Sequence, residues 1–90
     1  MQFEWNESKA ARNLSKHGVS FEEAETVFDE SLYVDFYDPD HCEDEERYLI
    51  VGASNRGRLL IVSYTERGTS IRIISAREVT RIEREVYEEG

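Results

Sequence analysis

Cysteine, proline and long apolar runs are nearly absent from this sequence, and each absence removes a class of protein. Cys42 is the single cysteine of the 90 residues, so no internal disulfide can close and no zinc or iron–sulfur site built on several thiolates can form. That usage fits a reducing compartment. Pro39 is the single proline, and the composition is 39% hydrophobic and 11% aromatic, which argues against a disordered or low-complexity chain. No stretch approaches the roughly 20 apolar residues of a membrane-spanning helix. The opening MQFEWNESK lacks the basic-then-apolar order of a secretion signal. These observations lead us to expect a cytoplasmic protein without membrane contact, forming one domain over residues 1–90. Its core should be thin, because a chain this short buries only roughly 60% of its unfolded surface.

Positive charge is also scarce. Eleven lysines and arginines face 20 acids, for a net charge of −9, a balance that opposes spontaneous capture of nucleic acid. The distribution is uneven, however. Residues 1–30 hold Lys9, Arg12 and Lys16 against seven acids, and residues 31–46 hold seven acids and no base. Residues 47–81 hold seven arginines against Glu66 and Glu78. Arginine is the side chain whose planar fork grips phosphate or carboxylate. No glycine-rich phosphate loop, nucleophile triad or DNA-recognition helix is present.

Residue patterns set an element order of β-α-α-β-β-β-β-α. Gln2 to Trp5 alternates as a short strand. Asn6 is placed to cap a helix that runs through Lys16 and His17 to Gly18, with Ala10 and Leu14 on its apolar face. Ser20-Phe21-Glu22-Glu23 reads as a capping box opening a second helix whose stripe is Phe21, Ala24, Val27 and Phe28. Leu32 to Tyr37 alternates as a strand stopped by Asp38-Pro39-Asp40, and an acidic loop from His41 to Glu46 follows. Arg47 to Ala53, Arg58 to Glu66 and Thr69 to Ser75 form three further strands joined by turns at Ser54 to Gly57 and Arg67-Gly68. Ser75-Ala76-Arg77-Glu78 reads as a second capping box, with Val79, Ile82 and Val86 as the stripe of a final helix. The expectation is an α+β fold with two N-terminal helices and a C-terminal helix on a mostly antiparallel four- to five-stranded sheet.

From Phe3 almost to the C-terminus, this sequence resembles the BrnT toxin family. The most specific pieces are Lys16-His17-Gly18-Val19 followed by Phe21-Glu22-Glu23-Ala24, and Ile71-Arg72-Ile73-Ile74-Ser75-Ala76-Arg77. The resemblance implies a RelE-like fold and metal-independent cleavage of RNA without a cofactor. It also implies neutralisation by a ribbon-helix-helix antitoxin, BrnA, through which alone the toxin would meet operator DNA. Family members tend to have a more basic last helix, where this chain has Glu78, Glu83, Glu85, Glu88 and Glu89.

Metal-free RNA cleavage needs a base for the 2′-hydroxyl, cations for the phosphorane and an acid for the leaving oxygen. Arg72, between Ile71 and Ile73, is the candidate for the scissile phosphate, since a guanidinium within an apolar strand calls for an anion. That anion is either substrate or an internal carboxylate such as Glu66 or Asp35. Strand alternation groups Arg58, Leu60, Val62, Tyr64 and Glu66 on one face, and Ser70, Arg72, Ile74 and Ala76 on another, which would bring Tyr64 near Arg72. Arg77, Arg81 and Arg84 recur at i, i+4 and i+7 and would form a stripe on the last helix, facing RNA, the antitoxin or solvent. Arg77 assists Arg72 in this reading, and His17 or Glu66 handles the proton. Histidine is the side chain that titrates near neutrality, although a helix-end histidine also packs or satisfies carbonyls. Lys16, Arg56, Arg58, Tyr64 and Arg81 are the candidate RNA contacts, and Arg77, Arg81 and Arg84 the candidate antitoxin contacts. His41, Cys42, Glu43 and Asp44 lack the spacing of a closed metal site. The rival function is a catalytically weak module that binds the antitoxin and co-represses its operon.

Overall fold

The computed structural model describes residues 2–29, 34–37 and 47–89, with the backbone alone at 34–37 and 86–89. The expected turn at Asp38-Pro39-Asp40, the acidic loop from His41 to Glu46 and the strand start at Leu32 lie outside the described residues.

Both N-terminal helices begin where a polar side chain satisfies a free backbone donor. Asn6 accepts the Lys9 N–H at 3.1 Å and opens α1, Glu7–His17. Gly18 ends it at φ 69°, a left-handed conformation that a side chain would disfavour. Ser20 accepts the Glu23 N–H at 3.1 Å and opens α2, Phe21–Val27. The reciprocal half of that capping box does not form, because the Glu23 carboxylate turns into the fold instead.

The strands are β1 (Gln2–Glu4), β2 (Val34–Tyr37), β3 (Tyr48–Ala53), β4 (Leu59–Arg67) and β5 (Ser70–Glu78), in the sheet order β1-β5-β4-β3-β2. From β2 to β5 the sheet is the expected antiparallel meander. β1 lies parallel to β5, pairing Phe3 with Ile71 and Glu4 with Arg72, so the sheet is mixed. The chain leaves β1 along the same outer edge of β5 and continues into α1. There Asn13 serves as a substitute strand: its amide donates to the Ala76 carbonyl at 2.8 Å and accepts the Ala76 N–H at 3.1 Å. A third bond, to the Val19 carbonyl at 2.9 Å, fixes the link to α2. The β5 edge beyond β1 is thereby closed without another strand.

The core lies between the helices and one sheet face. Val19, Phe21, Ala24 and Val27 pack on Ile50, Leu60, Val62, Tyr64, Ile73 and Ala76. Trp5 meets Phe21 edge to face at 5.9 Å, and Phe28 meets Tyr64 at 5.1 Å. Leu14, expected on the buried face of α1, is 52% exposed. The helix turns Asn13 inward because the unpaired backbone of Ala76 needs a partner more than a thin core needs another leucine.

Two further expectations are corrected by β5. Ser63 pairs with Ser75 but Tyr64 pairs with Ile73, so the ladder skips Ile74 in a β-bulge. Simple alternation across residues 70–76 therefore fails: Ile73 and Ala76 are both core residues, and Arg72 pairs with Thr65 instead of sharing a face with Tyr64. The second correction concerns the last helix. Residues 75–78 stay in β5 opposite β4, and the helix α3 spans Arg81–Glu89. Its capping box is Thr80 to Glu83, with the Glu83 N–H on Thr80 Oγ1 at 3.1 Å and the Thr80 N–H on Glu83 Oε1 at 2.8 Å. Ser75 begins the same pattern, but strand pairing that buries Ala76 overrides it. Arg77 is thus a strand residue, and the Arg77, Arg81 and Arg84 stripe does not form on one helix.

Candidate functional site

The arginines differ in what holds them, and this decides which can meet a phosphate. Arg58, in the turn leading into β4, is bound within the fold. Its Nε and Nη2 donate to the two oxygens of Glu23, the first at 2.9 Å. It also reaches the Gly18 carbonyl at 3.1 Å and the Glu78 carboxylate at 3.4 Å. Glu23 is buried, and the hydrogen-bonded Arg58 guanidinium holds its carboxyl below the usual range, outweighing the opposing effect of burial. Ser54 adds a 2.7 Å hydrogen bond in the same sense. Arg56 stands exposed, 3.9 Å from the same carboxylate.

Arg77 is gripped on both sides of its fork by Glu83, with bonds of 2.8 and 3.0 Å, the geometry that favours arginine over lysine. The Arg77 contact and the Thr80 N–H pull the Glu83 carboxyl down to about 2. A folded-state value below that of free glutamate, about 4.3, means that the clasp's contribution is complete at neutral pH and is lost as pH falls towards the folded value. We therefore expect α3 to stay docked at pH 5 and to loosen progressively below about 4. Amide hydrogen exchange at residues 84 and 85 measures this, and Arg77→Ala should accelerate it severalfold at neutral pH.

Arg72 is held more loosely. A single Glu4 carboxylate oxygen lies 3.7 Å away, and the guanidinium side chain is 29% exposed. It sits opposite Thr65 on the sheet face turned away from α1 and α2. Neither Glu66 nor Asp35 pairs with it in register; Glu66 pairs with Ile71 at the exposed end of β4, and Asp35 with Ile50. Tyr64 lies in the core, stacked 5.6 Å from Tyr48. The ring is therefore separated from Arg72 by the sheet. Arg81 is exposed on α3, 3.9 Å from Glu85, and Arg84 lies one turn further.

A second group of cations contains Lys16, an expected RNA contact, with Lys9 and Arg12, which the sequence shows only as a charge count. Lys9, Arg12 and Lys16 are exposed on α1, and with Asn13, His17 and Ile74 they line an open hollow of about 180 Å³. Among the described residues none of the three is in an ion pair. The sequence signal is that no acid stands three or four positions from any of them, the spacing at which helix side chains meet. His17 and Lys16 are brought together here, at the end of α1. Among the described residues no hydrogen bond or ion pair joins His17 to Arg72, Arg77 or Glu66. Nor is any group of three or more His, Cys, Asp or Glu among the described residues arranged to hold a metal ion.

A helix-backed mixed sheet with a loosely held arginine on its far face and a cationic helix along its edge defines a class of small α+β proteins. The chain belongs to the BrnT family, ribonuclease toxins of type II toxin–antitoxin systems, whose family model matches residues 5–83. It is also similar to the crystal structure of the Brucella abortus ribonuclease toxin BrnT. That likeness has a TM-score of 0.66 and covers 90% of this chain and 99% of that chain at 23% sequence identity, and it concerns the fold. No curated protein matches significantly. Among the described residues no helix is long and apolar enough to cross a membrane.

Proposed function

We propose that this protein is a cytoplasmic, metal-independent endoribonuclease of RelE-like type. It cleaves RNA, thereby inhibits translation, and is neutralised by a ribbon-helix-helix antitoxin of the BrnA kind. The observation that carries this reading is the loose, half-open state of Arg72. A guanidinium within an apolar strand, held by one carboxylate oxygen at 3.7 Å, can exchange that contact for a phosphate with little loss. In the reaction a base takes the proton of the 2′-hydroxyl, whose oxygen attacks the adjacent phosphorus. The bond to the 5′-oxygen breaks, and an acid protonates that oxygen, leaving a cyclic phosphate and a 5′-hydroxyl. Arg72 stabilises the phosphorane, and His17 or Glu66 carries a proton. Arg77 acts by positioning β5 and α3 through Glu83, and Arg81 and Arg84 face the antitoxin. Operator DNA is met only through that antitoxin.

A second reading, an antitoxin-binding module without useful catalysis, is favoured by the engagement of Arg58 and Arg77 with carboxylates and by the net charge of −9. One experiment separates the two. Expression of the chain alone should stop growth and fragment RNA in a way that EDTA does not block in vitro, and co-expression with the neighbouring gene should restore growth. Growth and intact RNA despite abundant folded protein would favour the binding module.

A further inference from the structure

We propose that the Lys9, Arg12 and Lys16 face of α1, with the hollow it shares with Ile74, binds the phosphate backbone of single-stranded RNA. This rests on the ribonuclease reading above and adds to it a substrate-binding face distinct from Arg72. Acids outnumber bases 20 to 11 in this chain, so a basic side chain without an acidic neighbour is the exception. Arg58, Arg72, Arg77 and Arg81 each have one. Three unpaired cations on consecutive turns of one helix form a local positive strip on an otherwise acidic molecule. The helix dipole accounts for Lys16, in the last turn of α1, but not for Lys9 or Arg12.

The shape of the strip favours a linear polyanion. At about 1.5 Å per residue, the three charges lie along roughly 10 Å of helix axis. They flank a hollow too small for a protein element but sufficient for a base or ribose. Two of the three are lysines, point charges that suit phosphate without demanding a fixed orientation. Ile74 adds an apolar side chain and His17 an imidazole to the lining of the hollow, a combination fitted to an unstacked nucleotide. Ile74 also lies two residues along β5 from Arg72.

The test measures anisotropy of a short fluorescent 2′-O-methyl RNA, which cannot be cleaved, between about 50 and 200 mM salt. Replacing all three cations, as Lys9→Gln, Arg12→Gln and Lys16→Gln, should weaken binding by about tenfold or more and reduce the slope of log affinity against log salt by about 2. With cleavable RNA the same variant should raise KM and largely retain kcat. In the wild-type protein, amide shifts on adding the RNA should be largest along α1 and near Ile74, a readout that does not depend on the variant folding. Unchanged affinity and slope in a folded variant, or shifts confined to α3, would overturn the proposal. So would a variant that loses only its complex with the antitoxin, since the face would then belong to a protein partner. If the wild type binds the RNA through α1 but cleaves none and leaves growth intact, the ribonuclease reading fails and this face stands. If it cleaves and the variant's KM is unmoved, the reverse holds.

Discussion

Glu23→Gln is expected to cost about 3 kcal/mol of folding stability, the lower end of the penalty for breaking a buried ion pair, because the carboxylate is buried but the guanidinium it leaves is part-exposed. Only 3% of the Glu23 side chain is exposed, and its oxygens meet Arg58 and Ser54 from the turn between β3 and β4. The neutral amide would leave the Arg58 guanidinium facing an oxygen without charge and present an N–H pair to donors that already point inward. For a domain of this size each kcal/mol moves the thermal midpoint by about 4–8 °C, so a fall on the order of 15 °C or more should appear in calorimetry. Arg58→Leu should have a comparable effect. Combining it with Glu23→Leu should be less damaging than the sum, because no buried charge is then unpaired. The depressed Glu23 pKa adds a pH dependence: the pair stabilises fully above the range of a free carboxylate, near 4.3, and is lost as pH falls through the lower folded value. A midpoint that moves by less than a few degrees in Glu23→Gln would show that the pair is not a structural strut.

That strut was only half legible in the sequence. The Ser20 and Glu23 spacing predicts a capping box, and Ser20 does cap α2, but nothing local shows that Arg58, 35 residues away, outcompetes the Ser20 N–H for the carboxylate. Local signals fared well where the partner is local. Asn6, Ser20 and Gly18 fix both helices, and the glycines at Gly57 and Gly68 mark turns at positive φ. They failed where a distant ladder decides. Ser75 to Glu78 and Thr80 to Glu83 match the same capping pattern, and pairing with Leu60 to Ser63 selects the second. The bulge at Ile74 has no side-chain signature, so alternation assigned Arg72 and Ala76 to one face and Tyr64 to the neighbourhood of Arg72. Asn13 was unreadable because its partners, Val19 and Ala76, are backbone groups. Lys9 and Arg12 were legible in principle, as a helical row from which acids are excluded.

Arg72→Ala is expected to lower the rate of RNA cleavage on the order of a hundredfold or more, the loss typical of removing one preorganised donor from a transition state, and to abolish growth arrest. Its effect on stability should be small. The pair with Glu4 is long and both side chains are substantially exposed, and such pairs contribute about 0–1 kcal/mol. Sequence alone left two anions open for Arg72, a substrate phosphate or an internal carboxylate such as Glu66 or Asp35. The structure pairs it instead with Glu4, on a short edge strand where water can replace the guanidinium. Cleavage rate and thermal midpoint should therefore separate: Arg72→Ala loses the first and keeps the second, while Glu23→Gln loses the second. Glu4→Gln sharpens the contrast, since releasing Arg72 from the Glu4 carboxylate should leave cleavage intact or raise it if the arginine's work is on phosphate. If Arg72→Ala remains folded and cleaves RNA at the wild-type rate, Arg72 has no catalytic role, and the far face of the sheet is not where the phosphorane forms.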